Sequence, residues 1–255
     1  HRLRDVIASV TGRKPPELPA SPSTTTFAET SLDPFASLWD NLPAAVSVPH
    51  PVSNEILFGQ DQGLALWRRT IPAGAALTLE AARDYAVVYV DGREVGVVSR
   101  VEHPTVSSKT TLALPDATHE ARRLDILVDT FGHINFGPRV GDHKGLTGPV
   151  SLDGKVLDGF EAWPLPLDGP WMVHLRPLDG TPTRGGVFFT GKLHVDSPGH
   201  VSLDMADWHK GSLCVNGRLL GRLWRFVPPQ RTYFPRARLH AGLYLPRVLS
   251  RSLHA

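Results

Sequence analysis

The tightest constraint on this chain is a segment written twice: Tyr89-Val-Asp-Gly-Arg-Glu-Val-Gly96 recurs as Cys214-Val-Asn-Gly-Arg-Leu-Leu-Gly221. Asp91-Gly92 and Asn216-Gly217 are two-residue hairpin signals, because a type I′ turn needs positive φ at both central positions and these residue types tolerate it. Each turn joins two antiparallel strands. Ala86 to Val90 runs into Glu94 to Val98 in the first copy, and Ser212 to Val215 runs into Leu219 to Trp224 in the second. A hairpin duplicated at two distant places predicts two related β-sandwiches.

Composition agrees. The 255 residues can hold one large domain or two ordinary ones, and the duplication favours two. Gly and Pro, 23 of each, suit many short strands joined by turns better than long helices. Basic and acidic residues nearly balance, 27 against 25, so nothing global points to nucleic acid or a membrane surface. No apolar stretch approaches the ~20 residues of a membrane span. Cys214 is the single cysteine, which excludes an internal disulfide; inside an apolar strand it reads as packing, and it leaves the compartment open.

Along the chain the organisation is uneven. Leu3, Val6, Ile7 and Val10 recur at helical spacing before the stop signal Thr11-Gly12. From Lys14 to Thr30, Pro, Ser and Thr dominate and read as an extended linker. A short helix followed by such a linker cannot fold alone, and it reads as the end of something whose larger part lies upstream. Strand-like runs follow at Leu64 to Ile71, Ala86 to Val90, Glu94 to Arg100, Thr110 to Leu114 and Leu124 to Thr130, the expected first sandwich. The second comprises Gly186 to Val195, His200 to Asp204, Ser212 to Val215, Leu219 to Trp224 and Thr232 to Pro235, closed by the apolar tail. Gly154 to Pro182, rich in proline, is the expected crossover.

Motifs that carry chemistry are missing. There is no Gly-x-Ser-x-Gly elbow, no Gly-rich loop followed by Lys-Ser/Thr, and no cysteine pair for zinc. His133, Asp142 and His143 match no metal-ligand spacing and read as loop residues, so no metal site and no cofactor are expected. Asp125, Asp129 and Asp142 are near one another in sequence, but nothing holds any two of them ~5–9.5 Å apart around a sugar, as glycosidase acid and base groups require. From Trp208 onward no acidic residue occurs while Lys210 and eight arginines accumulate. A nucleic-acid groove needs such charge clustered with exposed aromatics; a solvated or docking face needs less and is the reading adopted.

Several stretches resemble the C-terminal half of the family 35 glycoside hydrolases, the β-galactosidases. His1-Arg-Leu-Arg-Asp-Val-Ile-Ala to Gly12 is similar to the last helix of their catalytic barrel, and Ala36-Ser-Leu-Trp-Asp-Asn-Leu-Pro43 to their linker. Phe58-Gly59, Leu66 to Thr70, Asp84 to Gly92, Leu124 to Asp129, Gly132 to Gly137 and Asp142-His-Lys-Gly145 resemble their first jelly roll. Asp207-Trp-His-Lys-Gly211, Val215 to Trp224 and Pro229 to Pro235 resemble the second. The matches keep the family's order over nearly the whole chain. The resemblance implies an all-β fold: two jelly-roll, galactose-binding-like β-sandwiches over residues 55–165 and 166–255, preceded by a helix and linker over 1–54.

It also implies a division of labour. Both catalytic glutamates of the family sit on an N-terminal (β/α)8 barrel, and no glutamate here occupies a matching motif, so no catalytic residue is expected in this chain. Leu3, Val6, Ile7 and Val10 are the expected barrel-docking stripe. Asn135 and Phe136 are the substrate-rim candidates, since in some members an aromatic from this loop reaches the rim of the barrel's pocket; the plainer alternative is a tight turn set by Gly132 and Gly137. Trp208 and Trp224 read as sandwich packing before sugar platforms, and Gln230 as a turn cap. One departure is Pro246 in the closing segment Gly242 to Leu249: proline removes a ladder donor, so this strand must lie at an edge or break. Two function classes follow, a non-catalytic part of a β-galactosidase whose partner is the barrel, or a free-standing carbohydrate-binding module. The helix favours the first.

Overall fold

The computed structural model describes residues 2–17, 27, 29–101, 109–117, 119–167, 170–172, 174–197, 199–226 and 231–251. Helix α1 (Arg2–Thr11) comes first, then β1 (Asp33–Ser37), β2 (Val46–Val48), the short α2 (Asn54–Phe58) and β3 (Gly63–Ile71). Next are β4 (Ala76–Leu79), β5 (Ala82–Arg83), β6 (Tyr85–Val90), β7 (Arg93–Ser99), β8 (Thr111–Ala113) and β9 (Arg122–Thr130). They are followed by β10 (Gly145–Leu146), β11 (Val150–Leu152), β12 (Lys155–Val156) and β13 (Phe160–Leu165). The second region holds β14 (Val187–Thr190), β15 (Leu193–Val195), β16 (Val201–Asp204), β17 (Lys210–Val215) and β18 (Arg218–Trp224). It ends with β19 (Arg231–Phe234), β20 (Gly242–Tyr244) and β21 (Pro246–Ser250). Every strand pairing is antiparallel.

Both duplicated turns have the backbone that their sequences demand: φ is 51° and 81° at Asp91-Gly92, 49° and 76° at Asn216-Gly217. The likeness goes further than the turn. In β6–β7 the register slips between Val88 and Tyr89, and in β17–β18 between Leu213 and Cys214, so each hairpin carries the same bulge at the same place. Asp91 Oδ1 accepts from the Arg123 amide at 2.8 Å, and Asn216 Oδ1 from the Leu245 amide at 2.9 Å, each tying the turn to the neighbouring strand.

The larger plan repeats as well. A six-stranded sheet runs β2-β13-β3-β9-β6-β7, and a five-stranded sheet runs β1-β14-β21-β17-β18. The first packs one face on the four-stranded sheet β12-β11-β4-β8, around Trp67, Leu77, Leu79, Val88, Ile126 and Val150. The second packs its outer face on the two-stranded pairs β15-β20 and β16-β19. The inner faces of the two large sheets meet each other: Leu66, Val87, Tyr89, Leu127 and Trp163 from one enclose Phe188, Cys214 and Leu249 from the other. The six-stranded sheet is thus apolar on both faces, which is why β3 and β9 are buried almost from end to end. Cys214 is part of that packing.

Three sequence expectations need correction, and a fourth is sharpened. Gly154 to Pro182 is not all crossover: Asp153-Gly154, with φ of 48° and 78°, is a third turn of the same kind joining β11 to β12, and β13 is a strand of the main sheet. Its Pro164 is tolerated because β2 pairs only with Phe160 to Ala162, leaving the rest of β13 paired on one side. Gly186 to Val195 splits after Thr190, where Gly191 lies too close to the Ser31 carbonyl for any side chain, and its halves join different sheets. The stretch read as linker supplies an edge strand to each large sheet, β2 to the first and β1 to the second. The closing strand does break, at Leu245, but β21 then runs through the centre of its sheet with Pro246 as its first residue, where no ladder donor is needed. Residues 18–26 and 28 of the expected linker, and the expected turn cap Gln230, lie outside the described residues.

Candidate functional site

The loop carrying Asn135 and Phe136 leaves β9 at Thr130 and returns at β10, and Asp84 fastens both its ends. The Asp84 carboxylate accepts from the Phe131 amide at 2.8 Å and from the Lys144 ammonium at 3.0 and 3.1 Å, and Arg100 donates to it at 2.8 Å. Asp84 and Lys144 are both buried, so each depends on the other: an unpaired charge there costs several kcal/mol. Glu55 reinforces the return. It accepts from the Lys144 amide at 2.8 and 3.0 Å, with the rings of His133 and His143 at 3.4 and 3.8 Å. Its helix α2 is held by the Ser53 hydroxyl at one end and by left-handed Gly59 at the other. Asp142 closes the cluster against Arg83 and Arg100; burial works to raise its carboxyl, but the hydrogen bond and charge of Arg100 win and hold it below the usual range. The two histidines therefore flank Glu55 rather than Asp142, and among the described residues no group of three His, Cys, Asp or Glu side chains is placed to hold a metal.

On this fastened base the tip stands free. Phe136 is 88% exposed, and Asn135 is exposed beside it. The helix α1 is bare as well: Leu3 is 73% exposed, Val6 56%, Ile7 48% and Val10 80%. The stripe predicted from spacing is real, and nothing in the described chain covers it.

A second polar cluster lies where the large sheets meet. Along β9 the even positions Leu124, Ile126 and Val128 enter the first core, so Asp125 and Asp129 point at the second sheet. Asp129 meets Lys210 at 2.9 Å, Arg251 at 3.2 Å and Arg222 at 3.9 Å, all from the acid-free terminal segment. Burial alone would raise this carboxyl; Arg251, Lys210 and Arg222 together push it below the ordinary range. The ammonium of Lys210 pays for that crowding. Burial and the neighbouring Arg251 and Arg222 outweigh Asp129 and push it down to about 8, while the rings of Trp224, Tyr85 and Phe131 surround it at 4.3 to 4.6 Å. Asp125 forms ion pairs with Arg68, Arg123 and Arg184.

Sequence reasoning missed Asp84, Lys144, Lys210 and Arg251. The available signal was charge inside apolar strands, as in Leu124-Asp-Ile-Leu-Val-Asp129, which on a sheet covered on both faces means a partner and not solvent. Trp224 belongs to this junction, packed on Tyr85 and Phe131. Asp84, Asp125 and Asp129 each lie against two or more cations, which is the pattern of structural ion clusters and not of an acid and a base waiting on either side of a sugar.

Two sandwiches on one sheet plan, bound through buried ions and bare at a helix and a loop tip, define an accessory β-module. Residues 51–166 match the family model described as β-galactosidase, first all-beta domain, and residues 186–243 the one described as β-galactosidase, galactose-binding domain. The chain belongs to the β-galactosidases, as their non-catalytic β-domains. It is 41% identical over 91% of its length to a β-galactosidase of Xanthomonas manihotis, and 29% identical over 94% to β-galactosidase-1-like protein 3 of Homo sapiens. It spans 38% and 37% of those proteins. Among solved structures, a GH2 β-galacturonidase from Eisenbergiella tayi bound to glycerol aligns over 88% of this chain and 37% of its own, with TM-score 0.31 and 14% identity.

Proposed function

We propose that this chain is the part of a β-galactosidase that packs on and stabilises a catalytic (β/α)8 barrel, in the same protein or as a separate chain. The barrel supplies the two glutamates and hydrolyses terminal β-galactosides with retention; this part contributes no catalytic residue. The observation that carries the reading is α1. A ten-residue helix is marginal in water by itself, and four apolar side chains on one stripe stay exposed until a larger surface covers them. Phe136, on a loop clamped by Asp84, Lys144 and Glu55, is rigidly presented for a second contact at the pocket rim, with Asn135 beside it.

Purified chain is expected to show no turnover of an aryl β-galactoside, and to form a complex with the matching barrel on size exclusion. Leu3→Asp with Ile7→Asp should weaken that complex by tenfold or more, on the order of 1.4 kcal/mol, and Phe136→Ala should raise KM of the assembled enzyme. Turnover by the chain alone breaks the reading outright, and a chain that ignores its barrel yet binds galactosides replaces it with the free-standing carbohydrate-binding module.

A further inference from the structure

Asp125 is one carboxylate among three guanidiniums. It is fully buried, with Arg68 against one oxygen and, against the other, Arg123 Nε at 3.1 Å and Arg184 Nη1 at 3.6 Å. Arginine stays protonated at any ordinary pH, so the surplus positive charge cannot be shed as a proton. The second carboxylate of this turn does not answer it: Asp91 is engaged by the Arg123 amide at 2.8 Å, by Arg122 and by His119. Unlike the sealed cluster at Asp129, this one reaches the surface, where the Arg123 side chain is 45% exposed.

The guanidiniums are also held in place and short of acceptors. Arg184 lies over the Trp39 ring at 3.8 Å, and Trp39 is itself fixed by donating its indole N–H to the Gly185 carbonyl at 2.7 Å. Arg184 Nη1 is buried and makes no hydrogen bond among the described residues. Burial, with Arg123 and Arg68, outweighs the attraction of Asp125 and holds this guanidinium below its usual value, which marks a cation short of negative charge. On the side of the first hairpin turn the donors converge: Arg184 Nη1 and Arg123 Nη2 lie 3.4 and 3.5 Å from the point where a Cβ would leave Gly92. Glycine leaves that side of the pair uncovered. The two nitrogens are close enough for one oxyanion to span, its oxygens accepting at ~2.9 Å.

We propose that Arg123 and Arg184, beside the Asp91-Gly92 turn, bind a doubly charged tetrahedral oxyanion: phosphate or sulfate, free or carried on an ester. The planar fork of each guanidinium suits two oxygens of such a group better than a halide. The proposal stands without the barrel and is tested on the full chain by itself. Sodium phosphate, sodium sulfate, phenyl phosphate and sodium chloride are titrated by calorimetry at matched ionic strength. Sulfate and phosphate stabilise any fold by exclusion from its surface, so the heat of binding decides and not the melting temperature. Phosphate and sulfate should bind in the millimolar range or tighter, at least tenfold better than chloride. Phenyl phosphate that matches inorganic phosphate assigns the site to esters, and phenyl phosphate that fails beside it assigns the site to the free ion. Arg123→Gln, at a half-exposed position, should weaken binding about tenfold, the order expected on losing a hydrogen bond to a charged group. Arg184→Lys, which keeps the charge and removes the fork, should weaken it as well. Chloride that binds as tightly as sulfate, affinity untouched by both variants, or no heat from either oxyanion overturns the proposal.

Discussion

Strand β9 in the first large sheet and β21 in the second occupy the same place, next to the duplicated hairpin, yet carry opposite charges at matched positions. Aligned through the hairpins, Asp125 corresponds to Arg247 and Asp129 to Arg251. Asp129 and Arg251 then meet across the junction at 3.2 Å. Had both copies kept the acid, the junction would bury like charges at a cost of several kcal/mol. The two copies are therefore complementary halves that recognise each other, and neither can replace the other.

The largest expected effect is at Asp129. Asp129→Ala leaves Lys210 and Arg251 buried, with Arg222 half-buried beside them, around no anion and should cost about 3–5 kcal/mol, read as a lower urea midpoint. Asp125→Ala should cost less, because Arg68 and Arg123 are partly exposed and water can take over. Equal losses would remove the special place given to the Asp129 junction.

Next come the turns. A β-branched residue at positive φ is strained, so Gly92→Val and Gly217→Val should each lose on the order of 1–3 kcal/mol. The two losses should be similar, since a Cβ at Gly92 meets Arg184 and Arg123 only in ordinary contact at 3.4 and 3.5 Å and nothing lies within 4 Å at Gly217. Thermal melts that shift in neither variant, or in only one, contradict the matched-hairpin picture.

Two pH effects are smaller and separate the copies further. Lys210 sits where the first copy has Tyr85, and its ammonium titrates near 8, below the usual lysine range. Between about 8 and 10.4 the unfolded chain binds a proton that the folded chain does not, so the Lys210 contribution to stability rises with pH over that window. Lys210→Met should abolish that component of a melting-temperature series. Asp91 contributes with the same sign but in the acid range. Burial acts to raise its carboxyl, but the Arg123 amide, His119 and Arg122 hold it below the ordinary value, so its contribution is present above about 4 and fades as pH falls through the folded value. Asn216 has no such proton, and Asp91→Asn should flatten the acid limb slightly; an unchanged limb would detach the turn from it.

The hairpins, the apolar strands and the helical stripe were legible because each depends on local rules: positive φ at Asp-Gly and Asn-Gly, short apolar runs flanking those turns in β6 and β17, and i, i+3, i+4 spacing in α1. Even there the third turn at Asp153-Gly154 went unread, masked by the prolines that follow it. Loop residues Asn135 and Phe136 could be named from the sequence, while the clamp beneath them could not, since Glu55, Asp84 and Lys144 are far apart along the chain.

By itself the sequence determined that the chain is all-β, that it contains one hairpin design twice, and that α1 has an apolar side in need of cover, because all three follow from conformations available to a few neighbouring residues. Only the tertiary structure decided that Asp125 and Asp129 face a second sheet and not water, that Lys210, Arg222 and Arg251 converge on one of them, that Pro246 opens a central strand, and that the cover of the second sandwich is split in two where that of the first is continuous. Each of these depends on which strands become neighbours. That choice is set by burial summed over both faces of a sheet and by pairing of charges remote in sequence, and no local pattern records it.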